Sequence, residues 1–100
     1  MRRKSIMIRG QRFQVRRRAK VLVNDIEVDG SCDPPDRKPR FILISEGLSL
    51  ERELDVFIHE MLHAALWDLD ETAVAETATD IARALCHFYE FKQPKFPIGR

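Results

Sequence analysis

The sequence predicts an α+β fold in which a small antiparallel sheet packs on a helix that carries an H-E-x-x-H motif, with a second helix antiparallel to the first. The first half of the chain holds short clusters of β-branched and aromatic residues, and the second half holds two hydrophobic patterns with helical spacing. A chain of 100 residues has the length of one domain. We therefore expect residues 1–100 to form a single domain.

Four short hydrophobic clusters predict two or three antiparallel strands in the first part of the chain. They lie at residues 6–8, 13–15, 21–23 and 26–28, and they are separated by Gly10 and polar residues. Several of them alternate apolar and polar positions, which is typical of strands with one buried face.

Residues 29–39 contain three prolines, one glycine and three aspartates, and this composition predicts a loop. The apolar run that follows at residues 41–44 predicts a compact strand. The sequence allows two placements of this strand in the sheet. It lies inside the sheet, or residues 41–45 form an exposed edge to which an extended peptide can add as a further strand.

Two amphipathic patterns predict helices over residues 49–67 and 70–91. Ser49 and Asp70 are suitable N-cap residues for them, and the prolines near the C-terminus cannot continue the second helix. The apolar stripe of the first helix consists of Leu54, Phe57, Ile58, Met61 and Ala65. The stripe of the second helix consists of Val74, Ala78, Ile81, Leu85 and Phe88. We expect each stripe to be the packed face of its helix.

The formal net charge of +1 hides an uneven distribution of charge along the chain. Residues 1–20 carry nine basic side chains and no acidic one, whereas residues 46–90 carry eleven acidic side chains. Clustered Arg and Lys bind a phosphate backbone by releasing its counterions, so this basic N-terminal segment predicts nucleic acid as a partner. The alternative is a solvated strand surface that pairs in part with the acidic helices.

Composition also indicates the cellular compartment of the protein. No apolar run approaches the ~20 residues that span a bilayer, and the arginine-rich N-terminus has no signal-peptide pattern, so we expect a cytoplasmic protein without a membrane partner. Cys32 and Cys86 are too few for a disulfide framework. We expect two reduced thiols that are not zinc ligands.

The first predicted helix contains the H-E-x-x-H motif, at His59, Glu60 and His63. Side chains four residues apart lie about 40° apart around a helix, so both imidazoles can bind one Zn²⁺. Glu60 then reaches a water on that metal and can act as general base. The alternative is that both histidines are polar residues on the solvated face of an amphipathic helix.

Helix geometry nominates a third zinc ligand on the second helix. If the first helix rises ~6 Å from His63 to its end and the second descends ~7.5 Å from Glu71, Glu76 returns to the level of His63. Asp80 then lies one turn lower, where it can orient His59 as a supporting hydrogen-bond partner. Glu71 is the competing ligand, because it lies close to the turn. A solvated acidic face is the alternative for Glu76 and Asp80.

This pattern resembles the gluzincin class of zinc metallopeptidases, which pairs H-E-x-x-H with a downstream E-x-x-x-D, here Glu76 to Asp80. Residues 30–90 also resemble small phage-type and SprT-like metallopeptidases. The resemblance implies a minimal zincin-like fold in which His59, His63 and Glu76 bind zinc. It also implies that Glu60 is the general base and that Asp80 supports His59.

Motif and resemblance together predict zinc-dependent hydrolysis of peptide bonds by a metal-activated water, with a peptide or protein as substrate. The alternative function is a non-catalytic module in which zinc stabilises a binding or structural domain, associated with a phage particle or with nucleic acid.

Overall fold

A computed structural model of the chain describes residues 4–89, which form six strands and two helices. The strands are β1 (Lys4–Ile8), β2 (Gln11–Arg18), β3 (Val21–Val23), β4 (Ile26–Val28), β5 (Gly30–Cys32) and β6 (Phe41–Ser45), and the helices are α1 (Leu50–Ala65) and α2 (Glu71–Tyr89). The predicted α+β class is confirmed. Residues 1–3 of the basic segment and residues 90–91 of the predicted second helix lie outside the described range.

β6 lies inside a four-stranded sheet of order β1-β2-β6-β5. The pairs β1–β2 and β5–β6 are antiparallel, and β2–β6 is parallel. β3 and β4 form a separate antiparallel pair. Because β6 has a neighbour on each side, the exposed-edge alternative for Phe41–Ser45 is wrong, and the edges of the sheet are β1 and β5.

Two tight turns join consecutive strands. Arg9 and Gly10 connect β1 to β2 with φ of 49° and 81°, and Asn24 and Asp25 connect β3 to β4 with φ of 52° and 64°. Two consecutive residues with positive φ are typical of the type I′ turn, whose twist matches that of the flanking strands. Gly, Asn and Asp adopt this region more readily than other residues, which favours both hairpins.

β5 lies within the segment for which the sequence predicts a loop. Its three residues pair with residues 42–44 of β6, although Gly-Ser-Cys carries no hydrophobic signal of a strand. Asp33 closes the segment, because its backbone N–H donates to the carbonyl of Phe41 and its carboxylate accepts from the Phe41 N–H at 2.9 Å. The loop prediction is therefore wrong at residues 30–32, and Cys32 lies in a strand.

α1 covers one face of the four-stranded sheet, and the core lies between them. Alternate strand residues point to this face, among them Phe13 and Ile42, which are both fully buried. The core cluster consists of Ile8, Phe13, Ile42, Ile44, Val56 and Ala64. Burial of these apolar side chains is the main source of stability that holds the helix on the sheet.

Both predicted N-caps are confirmed. The Ser49 hydroxyl accepts from the Arg52 backbone N–H at 3.2 Å, and the Asp70 carboxylate accepts from the Ala73 N–H at 3.0 Å. α1 ends at Ala65, two residues before the predicted end, because Leu66 leaves the helical region with φ of −136° and ψ of 68°.

The packed faces of the helices differ in part from the predicted stripes. The most buried residues of α1 are Val56, Glu60 and Ala64, although Phe57, Met61 and Ala65 of the predicted stripe also contact the core. The buried residues of α2 are Val74, Ala78 and Ala82, whereas Ile81 is 38% and Phe88 is 76% exposed. The buried residues of α2 are four positions apart and form a narrow stripe, because α2 packs against one helix and not against a broad sheet.

The two helices are antiparallel. The Thr79 hydroxyl donates to the Asp55 carboxylate at 2.9 Å, and Glu71 contacts His63. His63 lies eight residues after Asp55 on α1, whereas Glu71 lies eight residues before Thr79 on α2. The two helices therefore run in opposite directions. Neither helix, over residues 4–89, is long and apolar enough to cross a membrane.

Candidate metal centre

Three side chains meet at the end of the α1–α2 pair. His59 and His63 are one turn apart on α1, and their Nε2 atoms are 3.1 Å from each other. Glu71, in the first turn of α2, places one carboxylate oxygen 3.1 Å from His59 Nε2 and the other 2.8 Å from His63 Nε2. Within residues 4–89, this is the group of metal-ligating side chains whose ligand atoms converge, all within 4.8 Å.

Hydrogen bonds alone cannot satisfy all three of these contacts. A neutral imidazole has one N–H, and an ionised carboxylate has none. If both Nε2 atoms carry protons, Glu71 accepts from both, but the two N–H groups face each other across 3.1 Å. If one Nε2 is deprotonated, its lone pair faces a carboxylate oxygen of Glu71. A cation between the three groups attracts all of them, so the arrangement suits a metal.

The distances fit zinc. A tetrahedral zinc with bonds of 2.0–2.1 Å separates its ligand atoms by about 3.3 Å, and the three observed separations of 2.8, 3.1 and 3.1 Å are close to this value. Two nitrogens and one carboxylate are typical zinc ligands. The side chain of Glu71 is 68% exposed, so the group is open to solvent on that side, as a site with a free coordination position must be.

The structure brings Glu71 to the two histidines, and not the predicted third ligand Glu76. Glu71 contacts the histidines, whereas Glu76 and Asp80 are exposed and have no recorded contact with either histidine. The physical reason is the register of the helices. α1 ends early, and the connecting turn brings α2 down so that its first residue already lies level with His63. A register that brought Glu76 there would need a shift of about 7.5 Å.

Glu60 lies next to His59 on α1, lines the same pocket and faces β5. It is 7% exposed and packs near β5, where its Oε2 would lie 3.2 Å from a Cβ at Gly30. Burial, and to a smaller extent the charge of Glu71, raises the pKa of Glu60 to about 7. Because Glu60 forms no recorded hydrogen bond or ion pair within residues 4–89, its carboxylate remains available to a ligand.

A small pocket of about 160 Å³ opens at Glu60 and His59. Its wall includes Arg52, which donates to Asp29 at 2.8 Å and to Asp55 at 3.3 Å. Arg52 therefore links the end of β4 to α1 and neutralises part of the acidic charge in the pocket. This volume holds a few water molecules, at about 30 Å³ each, or one small chemical group.

Comparison with known proteins identifies no match to this chain, whether among family models, curated proteins or solved structures. The resemblance to gluzincins therefore depends on the sequence motif alone, and the structure does not bring Glu76 and Asp80 of that motif to the histidines.

Sequence reasoning missed Gly30, Arg52 and the contact between Asp55 and Thr79. Gly30 carried a usable signal, because a glycine outside a tight turn often marks a close approach between elements. The other contacts depend on the packing of distant segments, and nothing in their local sequence indicates them.

Proposed function

We propose that the chain is a zinc-dependent hydrolase of peptide bonds, with His59, His63 and Glu71 as zinc ligands and Glu60 as general base. The observation that carries this proposal is the convergence of three ligand atoms beside a buried carboxylate that has no hydrogen-bond or ion-pair partner among residues 4–89. The H-E-x-x-H spacing alone supplies two ligands and the base, and the structure of α2 adds a third ligand of suitable chemistry.

Zinc, when bound, supplies a Lewis acid and lowers the pKa of a bound water to about 7. The chain contributes the surroundings of that chemistry. His59 and His63 present Nε2 lone pairs when neutral, and Glu71 balances part of the charge of a divalent cation. The exposed side of Glu71 leaves an approach for substrate.

Glu60 is placed to move the proton. Its burial between α1 and β5 makes it more basic than a solvated glutamate, although a nearby cation would oppose part of that effect. In this proposal Glu60 accepts the proton of the attacking water and then delivers it to the leaving amine nitrogen. The pocket at Glu60 and His59 offers room for the attacking water beside this carboxylate.

The position of β5 supports an extended peptide as the substrate class. β5 is an edge strand of the sheet, and Gly30 lies against Glu60. A peptide that added to this edge would receive backbone hydrogen bonds and would pass close to the general base. This role belongs to β5 in the proposal, and not to the interior strand β6.

Glu60→Gln tests the proposal, because a general base is needed for turnover but not for binding the metal. We expect the wild-type chain to bind one zinc and to hydrolyse an unfolded protein such as casein. Glu60→Gln should keep the zinc and lose at least about 100-fold in rate. A wild-type chain that binds zinc but does not hydrolyse peptides would favour the non-catalytic zinc module instead.

A further inference from the structure

The four-stranded sheet has a second face, turned away from α1, which we call the outer face. Arg17 of β2 points toward α1, where it pairs with Glu53. Alternation along a strand therefore turns Arg12, Arg16 and Arg18 to the outer face. The register adds Ser5 of β1, which accepts from Arg12 at 3.1 Å. The outer face thus carries a row of three arginines along β2, with Arg16 and Arg18 about 6.7 Å apart and Arg12 about 13 Å from Arg16.

These three arginines are not neutralised by the chain's own acids. Within residues 4–89, Arg17, Arg37 and Arg52 form ion pairs with carboxylates, whereas no ion pair involves an arginine of the outer face. Arg12 and Arg18 are exposed, and nine of the chain's 16 acidic residues lie in the two helices and the turn between them, beyond the opposite face. The row is therefore a source of uncompensated positive charge.

An aromatic ring lies within this row. The guanidinium of Arg16 is 4.8 Å from the centre of the Phe41 ring, and its Nη2 donates to Gln14 at 2.8 Å. Arg16 Nε is buried without a hydrogen-bond partner, so stacking on Phe41 is a main contact that holds this group in place. Arg16 and Phe41 are twenty-five positions apart in the sequence, and the parallel pairing of β2 with β6 brings them together.

We propose that the outer face binds single-stranded nucleic acid, with Arg12, Arg16 and Arg18 on phosphates and Phe41 beside a base. Unpaired cations next to an aromatic ring are the usual means of binding single strands, and the Phe41 ring is half-buried. α1 covers the opposite face of the sheet and α2 packs on α1, so within residues 4–89 the outer face has no helix of its own to enter the major groove of a duplex, and we favour the single strand. The proposal is independent of the proposed function, because the metal centre lies on the other side of the sheet.

Fluorescence anisotropy with a labelled oligothymidylate of about 20 nucleotides tests the proposal on the full chain. The triple variant Arg12→Gln, Arg16→Gln, Arg18→Gln should bind at least about 10-fold more weakly at about 50 mM salt. Its slope of log affinity against log salt should fall by about 2, because each phosphate contact contributes about 0.7 on a single strand.

The matched control is the triple variant Lys4→Gln, Arg17→Gln, Arg83→Gln, which removes the same charge but leaves the outer face intact. Lys4 pairs with Val15, so it lies on the α1 face, and Arg83 lies on α2. We expect this control to keep most of the affinity and the slope. If both triples weaken binding equally, net charge alone is responsible and the proposed surface is wrong.

Three further probes distinguish the ligand. Phe41→Leu should weaken binding by at least about 5-fold, since a base loses its aromatic neighbour. Oligouridylate in place of oligothymidylate shows whether the 2′-hydroxyl contributes. Tighter binding of a duplex, or equal binding of polyglutamate, would overturn the single-strand assignment. Removal of metal by a chelator should leave binding unchanged, whereas it would abolish the proposed hydrolysis.

Discussion

The hydroxyl of Thr79 on α2 donates to the carboxylate of Asp55 on α1 at 2.9 Å. On each helix, this contact lies eight residues from the contact between Glu71 and His63. A slip of the helices by one turn would move Glu71 by about 5.4 Å and separate it from the histidines. The contact between Asp55 and Thr79 therefore fixes the register that brings Glu71 to the two histidines.

Thr79→Val should weaken zinc binding although it lies about 12 Å from the site. The substitution keeps the β-branched shape and removes the hydroxyl donor, so we expect the free energy of unfolding to fall by about 1 kcal/mol. Zinc affinity should fall several-fold, because the register becomes less well defined. Urea unfolding and zinc titration measure the two effects.

Thr77→Val is the control for this prediction, because Thr77 is an exposed threonine on the same helix. It should leave both zinc affinity and stability nearly unchanged. Equal effects of the two variants would mean that the hydroxyl of Thr79 does not fix the register.

Glu71→Gln should abolish tight zinc binding, whereas Glu76→Gln should not. The structure gives Glu71 a contact with each histidine and gives Glu76 none. Loss of a ligand should weaken affinity by more than the 10–100-fold that a supporting residue costs. Trp67 is the single tryptophan and its ring lies 6.2 Å from that of His63, so its fluorescence should report a metal at this site.

Asp80→Ala serves as a second comparison, since the sequence nominates Asp80 as a supporting residue and the structure leaves it exposed. We expect the zinc affinity of this variant to equal that of the wild type. If Glu76→Gln loses the metal while Glu71→Gln keeps it, the helix register described above is wrong.

The motif helix and its histidines could be predicted from sequence because their geometry is local. Residues four apart on one helix share a face whatever the rest of the chain does. The third ligand depends on the length of α1 and on the path of a short turn, where an error of two residues changes the level of every side chain on α2. Sequence reasoning therefore found the helix and the histidines, but it favoured Glu76 where the structure brings Glu71 to them.

β5 and the outer face could not be predicted for a related reason. Gly30–Cys32 is a strand because β6 offers it an edge, and its own residues do not favour that conformation. Likewise, Arg16 meets Phe41 only through strand pairing between distant segments. Pairings of this kind are set by the whole fold, whereas hydrophobic periodicity reports only the segment in which it occurs.

Gly30→Ala should destabilise the fold and disturb Glu60. The added Cβ would lie 2.5 Å from Val56 Cγ1 and 3.2 Å from Glu60 Oε2, so α1 and β5 must separate or Glu60 must move. We expect the free energy of unfolding to fall by about 1–3 kcal/mol, as in other overpacked cores. Hydrolysis should fall more than zinc content, since the base is displaced and the ligands are not.

A double variant distinguishes this clash from a general effect on β5. Val56→Ala makes room for the new methyl group, so the loss of stability in the Gly30→Ala, Val56→Ala double variant should be smaller than the sum of the two single losses. Ser31→Ala, in the same strand, should be nearly neutral. Additive losses would show that Gly30 is not required for the close approach.

Glu53→Gln should remove a pH-dependent contribution to stability. Hydrogen bonds from Arg17, at 2.7 and 2.8 Å, hold the pKa of the Glu53 carboxyl below its ordinary value of 4.5. A carboxyl whose folded pKa is lowered stabilises the fold above its unfolded pKa, and this stability is lost as the pH falls through the folded pKa.

Because the Arg17 side chain is 60% exposed, solvent limits the effect to about 0.2–1 kcal/mol. Urea unfolding of metal-free protein should therefore show wild type more stable than Glu53→Gln near pH 7, with the difference shrinking progressively as the pH falls below 4.5. Glu51→Gln, in the same helical turn and without a recorded partner, is the matched control. A pH-independent difference at Glu53 would show that the side chain acts through packing and not through its charge.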